Sequence, residues 1–138
     1  MPPTPYLFFN GNCAEAMRFY ERVLGGKLDP VMTYADSPEG PPPPKVTPDK
    51  IMHARLVLPD GGAIMASDDM SGAPYRGMSG FAVTLVYPAA AEVKRVFEAL
   101  ADGGRIDMPL DKTFWSEAFG GVTDRFGTPW MIYAAAEE

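Results

Sequence analysis

One cysteine and one histidine stand among 138 residues, and their scarcity excludes a good deal of chemistry. Cys13 has no second thiol in the chain, so neither an intrachain disulfide nor a cysteine-rich zinc site can form. His53 has no second imidazole to share a metal with. Long apolar runs are missing too: none approaches the roughly 20 residues of a membrane span. The N-terminus lacks the basic-then-apolar layout of a signal peptide, and a cytoplasmic protein is expected. Basic charge is sparse, with a net charge of −6 and no Lys/Arg cluster. Nucleic acid and anionic membrane are therefore not expected as partners.

What is present is a globular composition, 46% apolar and 22% charged, in a chain of one-domain length. Such a chain buries roughly two thirds of its unfolded surface. Its clearest feature is a repeat. Ala14-Glu15-Ala16-Met17-Arg18-Phe19-Tyr20-Glu21 returns as Ala91-Glu92-Val93-Lys94-Arg95-Val96-Phe97-Glu98. Ala16, Phe19, Tyr20 and Val23 correspond to Val93, Val96, Phe97 and Leu100, the i, i+3, i+4, i+7 spacing of a helix with one buried stripe. Each copy then meets a glycine pair, Gly25-Gly26 or Gly103-Gly104, which supplies the left-handed residue that ends a helix.

Around these helices the chain reads as strands. Tyr6-Leu7-Phe8-Phe9 is a short aromatic strand closed by Asn10-Gly11, with Asn12 as the expected N-cap and Glu15 beyond it. Residues 27–34 read as one strand. The prolines of residues 36–49 remove too many N–H groups for a ladder, leaving a long extended loop. Residues 51–58 and 63–67 flank Pro59-Asp60-Gly61-Gly62, a hairpin signal. Residues 69–79 are the expected linker. The second half repeats the order, with a strand at 80–87, a helix at 89–102 and strands at 104–110, 114–122 and 129–134. The expected boundaries are module one over about 4–68 and module two over about 80–135. The fold class is α+β, a βαβββ module written twice.

That duplicated module resembles the vicinal oxygen chelate superfamily, the glyoxalase, bleomycin-resistance and dioxygenase fold. The residues carrying the likeness are Tyr6-Leu7-Phe8-Phe9-Asn10-Gly11-Asn12, Phe19-Tyr20, Leu24-Gly25-Gly26, and His53-Ala54 leading to Ile64-Met65-Ala66-Ser67-Asp68. Thr113-Phe114-Trp115 and the run from Thr123-Asp124-Arg125-Phe126-Gly127 to Thr128-Pro129-Trp130-Met131 complete it. They look most like the PhnB-like group, some of whose members are labelled 3-demethylubiquinone methyltransferase-like. The resemblance implies a curled mixed eight-stranded sheet around a cleft, in a homodimer. No glycine-rich turn with an acidic partner is present to bind S-adenosylmethionine, and no cofactor is expected.

Metal-dependent members draw ligands from the first and fourth strands of each module. Alignment on the helices and the Asp-to-Gly turn puts Tyr6, Met65, Phe81 and Met131 there, aromatic and thioether groups where a divalent ion wants imidazole or carboxylate. No metal ligands are assigned. These four residues, with Phe8, Phe114 and Trp115, are the expected lining for a small apolar or aromatic ligand. A second reading is an acid–base enzyme. A hairpin loop of two or four residues pairs position 58 with 63 and so sets His53 opposite Asp68, a carboxylate orienting an imidazole base. Glu117 is the possible acid. A divalent-metal glyoxalase or dioxygenase is the third reading. Structural roles compete for each residue: a strand-end hydrogen bond for His53 and Asp68, sheet packing for Phe114 and Trp115.

Overall fold

The computed structural model describes residues 3–37 and 47–135, and the chain divides into two units between Gly77 and Met78. Most of the proline-rich loop (38–46) lies outside the described residues. The first unit runs β1 (Tyr6–Phe9), α1 (Cys13–Leu24), β2 (Lys27–Leu28), β3 (Met32–Thr33), β4 (Ile51–Val57) and β5 (Ala63–Asp68), with one 3-10 turn at Tyr34–Asp36. The second runs β6 (Val83–Tyr87), α2 (Ala90–Ala101), β7 (Arg105–Asp111), β8 (Phe119–Thr123) and β9 (Pro129–Ala134). Sheet orders are β1-β5-β4-β2, with β3 also on β4, and β6-β9-β8-β7. The first and last strands of each unit run parallel and every other pair antiparallel. The second unit therefore repeats the topology of the first.

The single strand expected over residues 27–34 is broken into β2 and β3. Pro30 lies in the gap and has no N–H to continue a ladder. This break is why nine strands are described where the resemblance implies eight. Each helix lays its apolar stripe on its own sheet, and all the stripe residues that the repeat identified are buried. Leu7, Phe9, Leu56, Ile64 and Ala66 face α1, while Val83, Leu85, Val122, Trp130 and Ile132 serve α2.

The glycine pairs divide their labour. Gly25 and Gly103 take the left-handed conformation (φ +75° and +77°) that ends each helix. Gly26 and Gly104 instead let the chain pass against β4 and β8, where a Cβ would overlap the carbonyl oxygen of Val57 or of Thr123. One extra residue, Asp102, precedes the second pair, and its carboxylate holds Arg125 at 3.3 Å.

Two side chains pin the second unit. Asp124 accepts the backbone N–H groups of Phe126 (2.9 Å) and Thr128 (3.0 Å) with one oxygen, and the Trp130 indole N–H (2.8 Å) with the other. The strand expected over 114–122 begins only at Phe119. Before it, the Ser116 hydroxyl donates to the Ala134 carbonyl at 2.7 Å and folds residues 113–118 into a loop.

Candidate functional site

The helix-free face of the first sheet follows from strand alternation. Leu7 and Phe9 point toward α1, which leaves Tyr6 and Phe8 on the opposite face. β5 pairs with β1 in register Tyr6↔Met65 and Phe8↔Ser67, so Met65 and Ser67 share that face. The decisive geometry is the β4–β5 hairpin. Leu58 N–H donates to the Gly62 carbonyl (2.8 Å), closing a three-residue loop of Pro59, Asp60 and left-handed Gly61 (φ +94°). An odd loop shifts the register by one from the even-loop expectation, pairing Arg55 with Met65 and Leu56 with Ile64. A one-residue slip moves a side chain to the other face. His53 accordingly joins Tyr6, Phe8, Met65 and Ser67, and Asp68 turns to the helix side.

This corrects the expected His53–Asp68 pair. Asp68 is 3% exposed and accepts Cys13 N–H at 2.9 Å and Ile51 N–H at 2.8 Å. It ties the start of α1 to the start of β4, and takes the capping role expected of Asn12, whose side chain makes no cap bond. His53 is oriented by a phenol instead: Nδ1 and the Tyr6 hydroxyl are hydrogen-bonded at 3.2 Å, with ring centroids 5.8 Å apart. Phe8 lies against Tyr6 at 5.1 Å between centroids and is half exposed. Met32, paired with His53 in register, extends the apolar surface.

Two buried hydroxyls lie in the first unit, Ser67 on this face and Tyr34 by the start of β4. Ser67 Oγ and Tyr34 Oη have no hydrogen-bond partner among the described residues, although both residues are at least nine-tenths buried. Burial, then the proximity of Tyr6 and Asp68, pushes the Tyr34 phenol above its ordinary pKa.

Cys13 belongs to the core. Burial, then the Asp68 carboxylate, pushes its thiol up to about 12, overriding the lowering that a helix start can exert. The native thiol should resist a disulfide reagent at pH 8 and react on unfolding; prompt reaction of the folded protein would contradict its burial. The unfolded thiol ionises near its ordinary value of 9.0 while the folded one does not. Its contribution to stability is therefore full below pH 9 and lost as pH rises toward 12.

In the second unit, Met131 and Tyr133 occupy the helix-free face of β9, and Phe119 and Gly121 that of β8. Trp115 stands edge-on to Phe119 and Tyr133, with centroids 5.0 and 5.2 Å away. The residue in register with Met131 on β6 is Thr84, not Phe81, which precedes the strand and is half exposed. Phe114 projects fully into solvent, outside the aromatic cluster. Glu117 is exposed on the loop before β8. Sequence reasoning missed Ser67, Thr84, Phe119 and Tyr133. Ser67 and Tyr133 stand two residues beyond Met65 and Met131 on the same strands, and alternation alone could have added both.

Residues 4–132 match the family model described as the Glyoxalase/Bleomycin resistance protein/Dioxygenase superfamily. The chain belongs to that superfamily. Protein YjdN of Escherichia coli (strain K12) is 39% identical over 146 residues, covering 100% of this chain and 98% of that protein. The crystal structure of protein PA1353 from Pseudomonas aeruginosa is 46% identical with a TM-score of 0.89, covering 99% of each chain. A PhnB protein from Bacillus cereus, whose name also carries a 3-demethylubiquinone-9 3-methyltransferase label, is 26% identical. Its TM-score is 0.80 over 98% of this chain and 100% of that one.

Metal-dependent members of the superfamily need imidazole and carboxylate donors. Here the first- and last-strand partners are Tyr6 with Met65 and Thr84 with Met131. Among the described residues, no three of His, Cys, Asp and Glu come together. These donors do not fit a divalent ion.

Proposed function

We propose that this glyoxalase-fold, PhnB-like protein binds a small apolar or aromatic molecule on the helix-free faces of its sheets. One observation carries the reading: Phe8 at 50% and Trp115 at 40% exposure keep large rings in solvent, Phe8 against Tyr6 in the first unit and Trp115 against Tyr133 in the second. Exposed apolar surface of this kind gains free energy on covering, about 25 cal/mol per Å². A neutral naphthalene tests it. Titration with 2-ethylnaphthalene should saturate at a defined stoichiometry with a change in tryptophan fluorescence, because Trp115 stands on one face and Trp130 is buried. A linear, non-saturating response would sink the proposal.

A second reading, acid–base catalysis by His53, keeps the Tyr6–His53 hydrogen bond in its favour. Its orienting group would be the Tyr6 phenol, because Asp68 is committed to two backbone N–H groups. Turnover that vanishes in His53→Ala with ligand affinity retained would favour it. A homodimer forms part of the same proposal. Sedimentation at twice the 15.0 kDa chain mass is expected at micromolar concentration, and a monomer there would count against it.

A further inference from the structure

We propose that Tyr6, His53, Ser67 and Tyr34 form a hydrogen-bonding subsite for a neutral carbonyl or hydroxyl group carried by an aromatic ligand. The proposal rests on reading the first sheet's open face as a binding surface, and specifies which end of the ligand that face holds. Register sets Ser67 beside Phe8, and alternation from the Arg55–Met65 pair puts His53 and Ser67 on one face. Tyr34 is brought to the start of β4 by its backbone N–H, which donates to the Lys50 carbonyl at 3.1 Å.

The chemistry of these groups selects the ligand. Hydroxyls of serine and tyrosine both donate and accept, so they suit a carbonyl or a hydroxyl equally. Buried hydroxyls without partners oppose folding, and a ligand oxygen reaching them past Tyr6 and His53 would relieve that penalty. Charge argues against a carboxylate. Arg55, which shares the face beside Met65, is paired with Asp29 at 3.1 Å, and the Asp68 carboxylate is close enough to raise the Tyr34 phenol. Phe8 and Met65 would carry the ligand's ring.

Three probes and two variants test this. The chain should bind 2-acetylnaphthalene about tenfold tighter than 2-ethylnaphthalene, the gain expected from one well-made hydrogen bond. Tyr34→Phe and Ser67→Ala remove only hydroxyls that have no partner among the described residues, so both should fold with an unchanged or higher melting temperature. Each should weaken the ketone about three- to tenfold and leave 2-ethylnaphthalene within about twofold. If 2-ethylnaphthalene binds but the ketone gains nothing, or keeps its gain in both variants, the subsite is refuted and the binding surface stands. If neither probe binds, the surface reading fails and the subsite with it. 2-Naphthoate binding more tightly than the ketone would overturn the assignment to a neutral group.

Discussion

Replacing Asp68 by alanine lowers the folding stability by roughly 2–5 kcal/mol, a large share of the 5–15 kcal/mol typical of a domain. The carboxylate is buried and holds two backbone N–H groups from different elements, Cys13 at the start of α1 and Ile51 at the start of β4. Alanine strands both donors where water cannot replace the lost oxygens. Asp68→Asn retains one acceptor oxygen and sets an amide N–H₂ against the other donor, so its cost falls between wild type and alanine. His53→Ala, at a half-buried position with one hydrogen bond, costs less than about 1 kcal/mol. Urea midpoints with unchanged slopes measure all three. The double variant Asp68→Ala/His53→Ala should be additive, because no contact joins the two side chains. A coupling above about 1 kcal/mol would restore the base–orienter pair.

Gly104→Ala is the second large effect, and Gly26→Ala its counterpart in the first unit. A Cβ at either position meets strand backbone, the Thr123 or Val57 carbonyl oxygen, which cannot rotate aside as a flexible side chain would. Accommodation requires the strand to shift, at a cost of roughly 1–3 kcal/mol or more. Gly121→Ala provides the control in the same sheet. Its nearest neighbours would lie at 3.4 Å (Trp130 O) and 3.7 Å (Met108 Cβ), close to ordinary contact, so about 0.5 kcal/mol or less is expected. A thermal or urea series in which Gly121→Ala is the worst of the three would contradict the close-approach role of Gly26 and Gly104.

Those glycines also show what a sequence can carry. The repeat of helix, apolar stripe and glycine pair appears in the chain as spacing, and spacing is what fixes an amphipathic helix and its stop. The Asp124 turn is likewise built from local hydrogen bonds, to the N–H groups of Phe126 and Thr128. Parity was harder. Whether the Pro59-Asp60-Gly61-Gly62 hairpin closes over an odd or an even loop decides which face His53 occupies, and both closures use the same turn residues. The odd closure brought His53 to Tyr6 and sent Asp68 into the core. Phe81 lies three residues before Thr84, the position in register with Met131. The connection between first strand and helix is Asn10, Gly11 and Asn12 in one unit but only Pro88 and Ala89 in the other, so alignment on the helices displaces the strand by one of those three residues. Trp115 reached its aromatic cluster from a loop tied down by Ser116, a long-range contact to Ala134 that no local pattern announces.

Methionines report directly on whether ligand meets the helix-free sheet faces. Met65 and Met131 lie on those faces, one in each unit, while Met17 is fully buried in α1. The measurement is a methyl NMR titration of methionine-labelled protein with 2-ethylnaphthalene. Saturable ring-current shifts at Met65, Met131 or both, with Met17 unmoved, are the predicted result. Saturable binding that leaves Met65 and Met131 unshifted would place the ligand away from both sheet faces and overturn the proposed binding surface.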